Sequence, residues 1–472
     1  LNQLSFVYYD MGNRANGEET FVIINTTGEP LSPTENLKPL FIGAQEESSR
    51  NLCSEKWEEW ETWFWIKRNL NDTADNGLRE FFRWITLLNT SSPDIFKKIQ
   101  ESGDFEFDLG TDLKLIDQYF DIVKYLFEES NLFIKDQGLL SPASIGKNES
   151  QLSWFKLLPV VEYIKRFGRN NDRNIIRVKT FFDNFSRIEN VSKAVGQLLP
   201  EAINLVKQLP SEDLTSAMAL PKVSSQILTS EEKLKFEIYV SNEKTRVEIE
   251  DVFWKTESHE VWKGEILSII KWATINGNFD FAKFKEFNRV FCDFFYEDME
   301  YHELDKTRRA LLTRGLKDYP RIFKGYTNTS FGWEFSDWQV LINDNTLKFG
   351  EFLDEFISIG DKEKHLQTMI DSYPINSDWY EFVKIPELLE YCREKNIQFS
   401  EKYGWLLVKK KKTSGEYISL KDFQLYLELK GLAFWNSNDW NLRLYNLPGH
   451  SPYFENEEKN IQIEIIYSGK DK

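Results

Sequence analysis

Apolar residues recur along most of this chain at the three-to-four-residue spacing of an amphipathic helix. Trp57, Trp60 and Phe64 share one stripe within Lys56–Leu70, with Trp63 and Trp65 filling in. Phe81, Phe82, Trp84 and Ile85 repeat the pattern within Leu78–Leu88. Leu113, Ile116, Phe120, Val123 and Phe127 keep the same period, and helical patterning resumes from Trp154 to Leu209 with a break at Gly168–Asp172. Thr229-Ser-Glu-Glu232 is a capping box that opens a further helix at Lys233. An aromatic stripe can stack nucleobases, but stacking platforms sit on exposed strands with basic neighbours, so these stripes are read as core.

After about Ser330 the period shortens. Trp405–Lys409, Leu442–Tyr445 and Ile461–Tyr467 read as strands, the last two with clear alternation, and Leu420–Leu429 as a helix between them. The expected fold is therefore mainly α and multi-helical, closing on a small α+β unit over 331–472. Asp136–Ser150, rich in Gly, Ser and Pro and without periodicity, predicts a linker. It separates a helical extension at 91–135 from a helical domain at 151–330.

Composition narrows the class. Aromatic content of 15% within 472 residues supplies large cores, so the chain is globular rather than disordered. No segment approaches the ~20 apolar residues of a membrane span, and Leu1–Asp10 lacks a signal-peptide pattern, so no membrane partner and a cytoplasmic location are expected. Cys53, Cys292 and Cys392 lie far apart, implying neither disulfides nor a zinc site, and no metal site is expected. A net charge of −17 argues against indiscriminate gripping of duplex phosphates, so any DNA contact is expected to be local or made by a missing portion.

The most specific stretch is Phe21–Lys38, FVIINTTGEPLSPTENLK. Asn25 and Gly28 can stop the apolar run Phe21–Ile24; Ser32 then caps a new helix, with Pro33 at its first position and Glu35 closing an S-x-x-E box. A helix N-terminus opening into a polar corner can hold an anion such as phosphate, with Asn25, Thr26 and Thr27 adding hydrogen bonds. A well-capped turn between two helices fits the same spacing.

Phe21, Asn25, Gly28, Leu31, Glu35 and Lys38 match a signature that resembles the bacterial domain family of Gmr-type, modification-dependent (type IV) restriction systems and of a nicking effector in phosphorothioate-based phage defence. That resemblance implies a ParB/sulfiredoxin-like domain whose C-terminal part covers residues 1–90, and nucleotide hydrolysis coupled to DNA recognition or cleavage. It places Asn25, Thr26, Thr27, Gly28 and Ser32 at the nucleotide, supported by Phe21, Glu35 and Lys38. It implies a nucleoside triphosphate with Mg as cofactor, although nothing else in these residues requires one. The family's D-G-Q-Q-R motif is missing, so the sequence reads as a fragment with a truncated catalytic domain, inactive alone. Weaker similarity extends to Phe253–Gly264, Arg308–Leu312 and Tyr326–Trp338.

Other candidates carry less. Arg166, Arg169, Arg173 and Arg177 are the densest arginine group, able to meet phosphate but expected to pair with carboxylates in so acidic a chain. Glu257 with His259, and His302-Glu303 beside Asp298 and Glu300, lack the spacing of a metal set and are expected to be structural or solvated. Lys409–Lys412 reads as a hairpin tip. No Walker A loop, dinucleotide-binding glycine motif or nucleophile elbow is present. The competing expectation is a non-enzymatic helical scaffold that binds another protein.

Overall fold

The Ser32 hydroxyl accepts the Glu35 N–H at 3.3 Å while the Glu35 carboxylate accepts the Ser32 N–H at 2.7 Å, so the reciprocal box closes and starts helix α1 (Pro33–Ala44). Pro33 sits where a missing amide costs nothing. The computed structural model describes residues 32–389 except 69–73, 131, 134–137, 141–146, 189–190, 297–298, 315–334, 344–347, 376 and 378. Beyond them it describes the strand segments 397–400, 404–407, 441–443, 453–456 and 461–464.

The protein is mainly helical and divides into two units, Leu1–Ser241 and Asn242–Lys472. The division falls inside the 151–330 segment that the sequence groups as one domain. In the first unit, α2 (Arg50–Lys67), α3 (Ala74–Asn89), α4 (Pro93–Ser102) and α5 (Leu113–Lys124) precede the expected linker. Helices α6 (Lys147–Phe167), α7 (Asp172–Ile188), α8 (Val191–Gln208), α9 (Leu214–Met218) and α10 (Ser230–Ser241) follow it. Because α6 packs on α3 and α5 as well as on α7 and α8, the 136–150 stretch joins elements of one unit.

The α2 stripe buries Cys53, Trp57, Trp60, Trp63 and Phe64. Trp57 stacks on Phe82 at 5.0 Å, and Phe120 meets the edge of Trp63 at 5.5 Å, so three helices interlock through rings. One expectation is corrected: Trp65 is 53% exposed, covered on one face by the Arg68 guanidinium 3.3 Å from the ring centroid. A helix turns about 100° per residue, which carries the position after Phe64 off the buried stripe. Gly103, at φ 75°, ends α4 in the left-handed conformation. Glu232 N–H donates to Thr229 Oγ1 at 3.2 Å, as the cap read at that position requires.

The second unit contains α11 (Arg246–Glu257), α12 (Leu267–Trp272), a hairpin of β1 (Thr274–Ile275) and β2 (Asn278–Phe279), and α13 (Phe281–Phe294). The hairpin turns through Asn276 and Gly277, at φ 51° and 81°, the paired left-handed residues of a two-residue turn. The Asn-Gly dipeptide is the local signal for such a turn. Helices α14 (Asp305–Leu312), α15 (Phe335–Asn343), α16 (Phe349–Phe356), α17 (Lys362–Asp371) and α18 (Tyr380–Lys384) follow. Their core is again aromatic: Phe291 stacks on Phe295 at 4.6 Å, and Phe294 meets Phe352 at 5.4 Å.

The expected C-terminal strands are present. β3 (Ile397–Ser400) pairs antiparallel with β4 (Gly404–Leu407), and β5 (Asn441–Arg443), β6 (Tyr453–Asn456) and β7 (Ile461–Glu464) form an antiparallel meander. The expected helix at 420–429 and the Lys409–Lys412 run lie outside the described residues. No described helix is long and apolar enough to cross a membrane.

Candidate functional site

Of the motif residues, Phe21, Asn25, Thr26, Thr27 and Gly28 lie outside the described residues. Ser32 spends its hydroxyl and its amide on Glu35 within the capping box. Asn36 N–H bonds the Ser32 carbonyl at 3.1 Å in the ordinary helical way. Lys38 forms an ion pair with Glu61 on α2 at 3.0 Å, tying α1 to the neighbouring helix. Ser32, Glu35 and Lys38 thus set the position and direction of α1, the element that follows the string.

Two members of the arginine group, Arg166 and Arg169, turn to backbone carbonyls rather than to carboxylates. Arg166 donates to the carbonyls of Val206 at 2.5 Å and Leu209 at 3.2 Å, and Arg169 donates to the Asp121 carbonyl at 2.7 Å. Arg177 turns to Asn174. The reason is geometric: the end of α6 lies beside carbonyls in the last turns of α5 and α8, and each carbonyl oxygen has a second lone pair that can take a cationic N–H. Lys165 donates to Tyr119 Oη at 2.8 Å, Tyr119 Oη donates to Asn89 Oδ1 at 3.4 Å, and Lys207 donates to the Leu88 carbonyl at 2.9 Å.

Under these cations lies Glu162, 3% exposed, with Lys165 Nζ 3.8 Å from its Oε2. Burial pushes its carboxyl above the ordinary value, while Lys165, Lys207 and Arg166 oppose that push. Burial likewise lowers the Lys207 ammonium, Glu162 opposing and Lys165 adding to the shift. The Tyr119 hydroxyl is raised by burial and by the Glu162 charge. Each of these positions reads as an ordinary helix-surface charge in the sequence, because their partners lie on other helices.

A second buried carboxylate was also illegible. Glu80, 1% exposed, accepts Trp84 Nε1–H at 3.0 Å and Trp154 Nε1–H, and pairs with Arg83. Burial lowers the Arg83 guanidinium to about 10, with Arg79 adding and Asp104 opposing. Arg83 also donates to the Gly103 carbonyl at 3.1 Å.

In the second unit the His259 ring is spent on the backbone. Its Nδ1 accepts the Val261 N–H at 3.1 Å, which leaves Nε2–H to donate to the Phe295 carbonyl at 2.9 Å. The structural expectation for His259 holds. Among the described residues, no three of His, Cys, Asp and Glu come together as metal ligands. Burial raises the thiols of both Cys53 and Cys292.

No known protein family, curated protein or solved structure matches the chain.

Proposed function

We propose that this chain belongs to a restriction-type anti-phage defence protein acting in the cytoplasm, in which a ParB/sulfiredoxin-like domain reaching across residues 1–90 hydrolyses a nucleotide and couples that step to DNA recognition or cleavage. The observation that carries the reading is the Phe21–Lys38 string, with Asn25, Gly28, Glu35 and Lys38 at their signature spacing. Asn25, Thr26 and Thr27 are assigned to hydrogen bonds with the nucleotide, and Gly28 to the turn beside it. Ser32 and Glu35 aim the N-terminus of α1, whose dipole favours an anion beside it. Ser32 and Glu35 satisfy each other, so the described residues of this corner do not form a set of oxygen ligands for Mg.

In the full-length protein, Asn25→Ala is expected to abolish nucleotide hydrolysis and phage restriction while leaving the melting temperature of the unliganded protein unchanged. Hydrolysis and restriction at the wild-type level would overturn the assignment. Nucleotide is expected to raise the wild-type melting temperature and to leave that of Asn25→Ala unmoved.

A second reading, a non-enzymatic scaffold, is favoured by the closed capping box, which consumes Ser32 and Glu35 inside the protein. The same titration separates the two: a scaffold shows no thermal response to nucleotide.

A further inference from the structure

We propose that the ring of cations at one end of the first unit, Lys165, Arg166, Arg169 and Lys207, binds the phosphodiester backbone of a nucleic-acid strand. This deepens the DNA part of the reading above, yet it stands on residues wholly outside the Phe21–Lys38 string.

The four cations are drawn together by neighbouring anchor points. Lys165 and Arg169 reach Tyr119 and the Asp121 carbonyl, two positions apart on α5. Arg166 grips the Val206 and Leu209 carbonyls on either side of Lys207. Lys207 reaches Leu88 and Tyr119 reaches Asn89, adjacent residues at the end of α3, which closes the ring. Arg166 and Arg169 are exposed, and Lys165 and Lys207 are half-buried.

The chemistry of the anchors decides what the ring can do. Backbone carbonyls and a hydroxyl fix the cationic heads without cancelling a full charge. Among the described residues, the group's single ion pair is the 3.8 Å contact of Lys165 with Glu162. The C-termini of α3 and α8 contribute roughly half a negative unit each. Against four full charges, and with Glu162 itself buried, the ring stays net positive. Lysine has three donors and arginine five, so each head keeps N–H groups to spare after these bonds. The heads are therefore pre-positioned, like-charged and under-used, which an oxyanion relieves. Asp172 and Glu129 act on Tyr125 beneath Arg169, and Glu212 and Asp213 act on Tyr163, one turn before Arg166, so carboxylates flank the patch on both sides. Elsewhere the net charge of −17 repels a polyanion, which confines contact to this patch.

The test is fluorescence anisotropy of labelled single-stranded and duplex DNA titrated with the full chain over a range of salt. Arg169→Gln and Lys165→Gln are each expected to weaken binding several-fold on either form. They are also expected to lower the slope of log affinity against log salt, by about 0.7 per lost contact on a single strand and about 0.9 on duplex. Melting temperatures show whether the variants are folded, and Arg169, an exposed residue that gives up one carbonyl bond and its place over the Tyr125 ring, is the variant expected to keep the fold. Wild-type affinity and salt slope in a folded Arg169→Gln and Lys165→Gln pair would overturn the proposal. So would no binding to either DNA form, including the case in which inorganic phosphate alone raises the melting temperature, because the patch would then serve a free oxyanion. Asn25→Ala is expected to leave DNA binding intact, so failure here and failure of the nucleotide reading are distinguishable.

Discussion

Glu80 and Glu162 are both buried carboxylates on helices of one unit, and their surroundings give them opposite consequences. Glu80 has two indole N–H donors and a guanidinium, so its buried oxygens have partners. Glu80→Ala leaves the largely buried Arg83 without its carboxylate partner and is expected to cost about 3–5 kcal/mol in urea denaturation. Glu162 keeps an oxygen without a hydrogen-bond partner, and its carboxyl is raised on folding. A raised carboxyl means that the native state holds its proton to higher pH than the unfolded chain does. Its contribution is therefore neutral below the unfolded value of 4.5 and becomes a penalty as pH climbs through the folded value. Glu162→Gln should accordingly gain stability relative to wild type as pH rises from acid to neutral; a difference in melting temperature that does not change with pH would refute this. Neither glutamate was legible beforehand, since a lone acid on an amphipathic helix reads as solvated.

At the scale of elements, most starts and stops were readable because their causes lie within one turn. Ser32, Pro33 and Glu35 specify the start of α1 by themselves, and Ser32→Ala is expected to cost ~1 kcal/mol of thermal stability. Close approaches between elements are a different matter. A β-carbon added at Gly350 on α16 would lie 2.6 Å from the Trp272 ring, so this glycine lets α16 approach α12. Gly350→Ala is expected to destabilise by about 1–3 kcal/mol in denaturant titration, the cost of overpacking. Trp65 shows the limit of pattern reading at this scale. Five aromatic residues within nine positions exceed one helical stripe, and the surplus ring faces outward under Arg68. The 136–150 stretch shows another limit: loop composition marks a connection but not whether the flanking helices share a core.

For the whole molecule, charge and division matter most. A net charge of −17 on 472 residues makes self-repulsion a real term, so moderate salt should raise the melting temperature while weakening DNA held at the cation ring. Opposite responses of stability and binding to one salt titration would support both statements; parallel responses would contradict the local-patch argument. Helical class, caps, aromatic stripes and the C-terminal strands follow from residues within a few positions of one another, and local periodicity was enough to show them. The boundary at Ser241, the buried glutamates and the ring through Leu88, Tyr119, Lys165 and Lys207 depend on which helix ends meet. Spacing along a chain carries no record of that, because burial and charge pairing there are properties of neighbours brought close in space by packing.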